Sequence, residues 1–174
     1  MYRYLALFFL VVISFLVLEA QEKTVKAIKI NYDIKIDGRL TEDIWKTAEP
    51  AKDFIQRDPE EGKPESERTE IYVLYDDEYI YFGCRMYDSE PDKIVTRLAK
   101  RDNEVESDLI SIRIDSYHDH LTAYEFTLLS SGTKVDILNY DDGAKEDDSW
   151  DAIWDAQTLI NEEGWTAEIK IPIK

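Results

Sequence analysis

A chain of 174 residues holds one domain of ordinary size and is too short for two. Its formal charge of −17 excludes nucleic acid and anionic lipid as partners, because phosphate is bound by clustered Lys and Arg. Neutral ligands such as sugars, or cations such as calcium, remain compatible with it.

The first twenty residues differ from the rest. Arg3 is their only positive charge, residues 5–18 carry no charge and only Ser14 as a polar side chain, and Glu19, Ala20 and Gln21 restore polarity. Such a run has the length of a signal-peptide core and falls short of the roughly 20 residues a bilayer crossing needs. Residues 1–20 are therefore expected to be an export signal cleaved near Ala20, with a periplasmic, outer-membrane-associated or extracellular destination. The alternative is an uncleaved anchor, since Leu18 is bulky for a cleavage site. Cleavage removes Arg3 and Glu19 and leaves the charge at −17.

From residue 25 onward the period is mostly two, the mark of half-buried strands. Ile28 and Ile30, then Ile34 and Ile36, predict an opening hairpin around Asn31, Tyr32 and Asp33. Residues 41–48 are the one helical stretch, with Thr41 as N-cap, Glu42 and Asp43 in the first turn, and Ile44, Trp45 and Ala48 on a common face. Residues 57–68, with prolines, a glycine and many charges, read as an exposed loop.

Strands are then predicted at Ile71, Val73 and Tyr75; at Ile80, Phe82, Cys84 and Met86; at Ile110, Ile112 and Ile114; and at Tyr124, Phe126 and Leu128. Further strands follow at Val135 and Ile137, and at Trp165, Ala167, Ile169 and Ile171. Cys84 is the only cysteine, so no intrachain disulfide forms, and its strand position makes it a small buried hydrophobe. Residues 140–149 read as an Asp-rich loop. Short strands without intervening helices make an all-β, antiparallel β-sandwich with one short helix near the amino terminus, and a closed barrel is the alternative. The well-patterned strand at residues 165–173 comes just before the last residue, which suggests the front part of a longer protein.

The run Ile36-Asp37-Gly38-Arg39-Leu40-Thr41-Glu42-Asp43-Ile44-Trp45, followed by Ala48, resembles the opening of family 9 carbohydrate-binding modules. Residues 69–81 with Asp88, and the ending Glu163-Gly164-Trp165-Thr166-Ala167-Glu168-Ile169-Lys170-Ile171-Pro172, resemble later blocks of that family. The likeness is closer to a subgroup at the front of large exported bacterial proteins whose remainder is predicted to be an outer-membrane barrel. It rests on Glu67-Arg68-Thr69-Glu70, Arg97, Arg101-Asp102, Asp115-Ser116-Tyr117-His118-Asp119 and Trp150-Asp151-Ala152-Ile153-Trp154. The resemblance covers roughly residues 25–174. It implies a sandwich that binds oligo- or polysaccharide, works beside glycoside hydrolases or polysaccharide uptake, and has a carboxyl-terminal barrel as partner.

Sugars stack their C–H faces on flat aromatics while polar side chains hydrogen-bond the hydroxyls. Trp150 and Trp154, near Asn139 and Tyr140 and among acids, fit that need, and their spacing of four lets both project to one side. The alternative is that they close the edge of the sandwich. Trp45 and Trp165 sit in register with aliphatic residues and read as core. Arg97 and Asp102 are further candidate contacts, with Arg97, Arg101 and Asp102 pairing among the neighbouring acids as the alternative.

Asp141, Asp142, Asp147, Asp148 and Asp151 put five carboxylates within eleven positions. Calcium is bound by such oxygen sets, so Asp141, Asp142 and Asp148 are candidate ligands for a structural ion, although the EF-hand register is missing. A solvated loop is the alternative. His118, Asp119 and His120 lack a distant third ligand, so no transition metal is expected. Catalytic motifs of serine hydrolases, zinc proteases and phosphate-binding loops are absent, and among 38 acids no glycosidase pair stands out. The expected function is non-catalytic carbohydrate binding. The alternatives are a docking or structural domain of a barrel protein that has lost sugar binding, and, more weakly, a glycoside hydrolase.

Overall fold

The computed structural model describes residues 23–103 and 105–173. The expected export signal at residues 1–20 lies outside the described residues. Among the described residues nine strands form two separate sheets, so the fold is a sandwich and not a closed barrel. The five-stranded sheet runs in the order β1 (Ile28–Lys29), β2 (Thr69–Tyr75), β3 (Tyr79–Tyr87), β9 (Gly164–Pro172), β8 (Asp155–Asn161). The four-stranded sheet runs β4 (Leu109–Ile114), β5 (Ala123–Leu129), β6 (Lys134–Tyr140), β7 (Lys145–Asp147). All pairings are antiparallel except that of β1 with β2.

Strand alternation sorts the side chains. Val73, Phe82, Cys84, Ala167, Ile169 and Ile171 point from the large sheet into the interior, where Phe126 and Leu128 meet them with Ile110, Ile112 and Ile114 of β4. Burying each large apolar chain contributes roughly 1.5–3 kcal/mol. Cys84 is fully buried and free, and burial pushes its thiol up to about 12, so it stays a neutral packing residue.

The large sheet is covered on its other face as well. Ile30, Ile34, Leu40, Trp45 and Ala48 pack there on Leu74 and Tyr81. Gly83 makes this possible, since a Cβ on it would lie 2.8 Å from both Leu40 Cδ2 and the Trp45 ring. Residues 30–48 thus form a strap across the sheet. The expected opening hairpin is absent: Ile28 pairs with Leu74 in parallel, and Ile30 and Ile34 bury themselves against the sheet instead of against each other.

The expected helix is a 3₁₀ helix over Asp43–Thr47, with Glu42 at the N-cap position and no side-chain cap. Thr41 is not the cap, because the chain turns there with the Thr41 N–H donating to the Arg39 carbonyl at 2.8 Å. Trp45 and Ala48 are buried and Ile44 is half-buried, as the common face required. Two strands escaped the sequence reading. β7 interrupts the acidic loop by pairing with Leu138–Tyr140 across a turn, and β8 carries only Ala156, Thr158 and Ile160 inward, too weak an alternation to stand out.

Candidate functional site

The outward face of the four-stranded sheet carries a polar patch built on regular strands, beside Leu109, Val135 and Ile137 on the same face. The register sets Ser111 opposite Thr127 and Arg113 opposite Glu125, with Asn139 on β6 beside them. Glu125 is 8% exposed and accepts hydrogen bonds from Ser111 Oγ at 2.7 Å, Arg113 Nε at 2.8 Å and Asn139 Nδ2 at 3.0 Å. Thr127 Oγ1 donates onward to Ser111 Oγ at 2.9 Å. Burial raises the Glu125 carboxyl, but the bonds from Ser111, Arg113 and Asn139 outweigh it and hold it below its ordinary value. Arg113 spends only Nε here among the described residues, and its side chain is 59% exposed. Its two terminal amino groups carry no hydrogen bond among the described residues, and such a planar fork matches oxygen-rich groups.

This polar face ends in a groove of about 360 Å³ between Arg113, Asp115, His120, Thr122, Asn139 and Asp142. Two turns wall it. His118, His120, Asp141 and Asp142 take left-handed backbone, with φ of 53°, 57°, 60° and 58°. The turns are tied together where the Asp142 N–H donates to the Leu121 carbonyl at 3.1 Å. The Asp115 carboxylate caps its own turn by accepting the amide N–H of His120 at 2.8 Å and of Asp119 at 3.2 Å, which lowers its pKa.

The residues expected to stack on sugar are placed elsewhere. Trp150 is half-buried, its ring centroid 4.9 Å from Tyr124 and 5.9 Å from Phe126. It lines a cleft of about 780 Å³ at the end of the sandwich, with Tyr75, Tyr117, Tyr124, Ile153 and Ile173. Trp154 corrects the expectation of a second stacking ring. It is 5% exposed, edge-on to Phe126 at 5.4 Å, and its Nε1 donates to Asp136 Oδ1 at 3.0 Å. The spacing of four does turn both indoles to one side, and that side is the interior. Trp45 and Trp165 are core, as read.

Asn139 is buried at the base of that polar face, and its amide serves Glu125. Tyr140 is 39% exposed at the end of β6, with Lys145 Nζ 5.8 Å over its ring. Arg97 is exposed and pairs with Glu106 at 3.3 Å. Asp102 is fixed to the open part of β6: its N–H donates to the Lys134 carbonyl at 3.1 Å, and its Oδ1 accepts the Asp136 N–H at 3.3 Å. These residues do not form one site. The residues the sequence reading missed, Ser111, Arg113, Glu125 and Thr127, were visible as the polar half of two alternating strands, but their pairing was not.

Asp141, Asp142 and Asp148 do not converge on a common point among the described residues. Asp141 pairs with Lys145 at 2.8 Å. The carboxylates that do converge are Asp102, Asp136 and Asp151, and the Arg101 guanidinium lies among them. Its Nη2 is 2.6 Å from Asp136, and its Nε is 3.5 Å from Asp102 and 3.4 Å from Asp151. A guanidinium already supplies the positive charge in that cluster.

Residues 36–174 match the carbohydrate family 9 binding domain-like family. Solved structures that share the fold include two carbohydrate binding modules. A carbohydrate binding module family 9 from Caldicellulosiruptor kristjanssonii in complex with cellotriose superposes with a TM-score of 0.60 at 17% identity, over 86% of this chain and 68% of that one. A second, from the same organism in complex with glucose, gives 0.59 at 18% identity, over 86% and 70%. No curated protein sequence matches the chain.

Proposed function

The chain belongs to the carbohydrate family 9 binding domain-like family, and from that premise we propose that it is a non-catalytic carbohydrate-binding module whose ligand lies on the outward face of the four-stranded sheet. The observation that carries this is the fixed polar register of Ser111, Arg113, Glu125 and Thr127, with the Arg113 fork held at its base and open at its tip. A sugar hydroxyl needs both donors and acceptors, and these are pre-positioned on strands, so little entropy is lost on binding. The solved family modules hold cellotriose and glucose, which makes neutral glucose-based oligosaccharides the first ligands to try. A neutral ligand also suits the charge of −17.

The test is a calorimetric titration of the full chain with cellotriose, repeated on Arg113→Ala. Hydrogen bonds to a charged group contribute roughly 1.5–3 kcal/mol, so the variant should bind at least about tenfold more weakly. A second reading places the sugar at the mouth of the apolar cleft, because Trp150 is half-buried there beside Tyr117, which is 69% exposed. That reading requires Trp150→Ala to abolish binding while Arg113→Ala leaves it intact. A blank response of the wild-type chain to a broad glycan array would leave the docking-domain alternative in place. Release of reducing sugar by the purified chain would revive the hydrolase. Export, supported by the uncharged run at residues 5–18, and a following outer-membrane barrel belong to the same proposal.

A further inference from the structure

The chain contains two Asp-Gly steps, Asp37-Gly38 and Asp142-Gly143, and the fold treats them oppositely. Gly38 is buried in the strap, and Oε2 of the fully buried Glu168 accepts its N–H at 2.9 Å and that of Asp37 at 2.8 Å. Thr166 donates its hydroxyl to the Gly38 carbonyl at 2.6 Å. The Asp37 carboxylate is engaged as well: Oδ1 accepts the Arg39 N–H at 3.0 Å, and Oδ2 pairs with Lys35 at 2.9 Å. Asp142 and Gly143 lie instead in the turn between β6 and β7, and both are exposed. Their φ angles are 58° and 75°, and a Cβ on Gly143 would meet nothing within 4 Å. Among the described residues neither the Gly143 N–H nor the Asp142 carboxylate has a hydrogen-bond partner.

We propose that Asp142-Gly143 is a self-modification site, at which the main chain closes to a succinimide and reopens as an isoaspartyl linkage, loosening the wall of the polar groove. The Gly143 nitrogen attacks Cγ of the protonated Asp142 side chain and forms an N–Cγ bond. The hydrogen of that nitrogen and the carboxyl hydroxyl leave together as one water. A second water opens the ring. Attack at Cγ restores aspartate, and attack at the main-chain carbonyl carbon leaves the chain running through Cβ and Cγ, with the former main-chain carbonyl now a free carboxylate. Water is the only co-reactant, lost in one step and regained in the next.

The fold selects between the two steps because the attacking nitrogen must become tetrahedral and give up its hydrogen while the carboxyl swings over it. At Gly38 the Glu168 carboxylate holds that hydrogen, the Thr158 backbone lies 2.8 Å from where a Cβ would stand, and both carboxylate oxygens of Asp37 are occupied. At Gly143 the missing Cβ leaves the nitrogen open, and water reaches it. The product carries one extra main-chain atom inside a turn that is closed by the Ala144 N–H donating to the Asp141 carbonyl at 3.1 Å. The same turn is tied to its neighbour by the Asp142 N–H on the Leu121 carbonyl, also at 3.1 Å. Leu121, Asp142 and Gly143 all line the groove, so the added atom falls in its wall.

The experiment incubates the full chain in mildly acidic buffer made with heavy-oxygen water, then maps its peptides by chromatography and mass spectrometry. The peptide holding Asp142 should yield a species one water lighter and then a new isomer carrying one heavy oxygen. The peptide holding Asp37 should do so at least about tenfold more slowly, because its amide is released only when the strap opens. In urea the two steps should react at similar rates, since the protection comes from the fold. Asp142→Glu, which could close only a larger and slower ring, should abolish the new isomer. In the purified isomer the Asp142 and Ala144 amides should exchange hydrogen several-fold faster, with Ile169 unchanged. Asp142 intact in a folded chain that isomerises in urea, Asp37 reacting as fast as Asp142, or unaltered exchange in the isomer would each overturn the proposal. None of these readouts involves sugar, so this modification and the carbohydrate reading stand or fall separately.

Discussion

Asp136 occupies an inward position on β6, opposite Phe126, where alternation calls for an apolar side chain. It is fully buried and accepts from the Arg101 guanidinium at 2.6 Å and 2.9 Å, the Trp154 indole at 3.0 Å and the Ala152 amide at 2.6 Å. These bonds join three segments: the run before β4, β6, and the run before β8. Replacing it by Ala strands a half-buried guanidinium, an indole N–H and a backbone N–H at once. Asp136→Ala should lose about 3–5 kcal/mol in urea unfolding, whereas Asp136→Asn, which keeps one acceptor, should lose less. Gly38 is held by a different constraint. Its φ of +79° and the 2.8 Å approach of the Thr158 backbone leave no room for a methyl group, so Gly38→Ala should lower the melting temperature by more than about 4 °C.

At the scale of elements, β9 is the strand that both layers depend on. One face feeds the core through Trp165, Ala167, Ile169 and Ile171, and the other presents Thr166 and Glu168 to the strap. The pKa of Glu168, raised by burial from 4.5 to about 7, gives this arrangement a pH signature. The folded state holds the proton more tightly than the unfolded chain, so the contribution is complete below about 4.5 and is lost as pH rises through about 7. Glu125 and Asp115 are shifted the opposite way, so their contributions fade only at more acidic pH. Urea unfolding between pH 5 and 8 should therefore show stability falling as pH rises, and Glu168→Gln should flatten that slope. A slope unchanged in the variant would assign it to other groups.

Across the whole molecule the excess of negative charge repels itself. A charge of −17 favours solubility but penalises the compact state, and salt screens it over a Debye length of about 10 Å at 0.1 M. Thermal unfolding should shift upward between about 0.02 M and 0.5 M sodium chloride; a melting temperature independent of salt would show that the ion pairs of the surface already balance the excess. The sandwich also divides its surfaces by chemistry. The strap seals one face, the four-stranded sheet offers hydrogen-bonding groups on the opposite face, and the aromatic cleft opens at the end between them.

The period-two pattern of β2, β3, β4, β5 and β9 was enough to establish strands and an all-β fold, because alternation is a local consequence of the pleat and needs no partner to be visible, whereas the separation into two sheets decided sandwich against barrel. The Asp-Gly turn and the aromatic residue of the strap were legible for the same reason, as a fixed local sequence. Which indole would line a cleft was not. Trp150 and Trp154 share a sequence neighbourhood, yet one lines a cleft and the other donates to Asp136, because that outcome depends on a carboxylate from β6. Arg113, Glu125 and Asn139 come from three strands and become one network only through register. Pairing across strands and access to solvent are properties of the assembled chain, so the tertiary structure alone decided which of these side chains meet one another and which stay exposed.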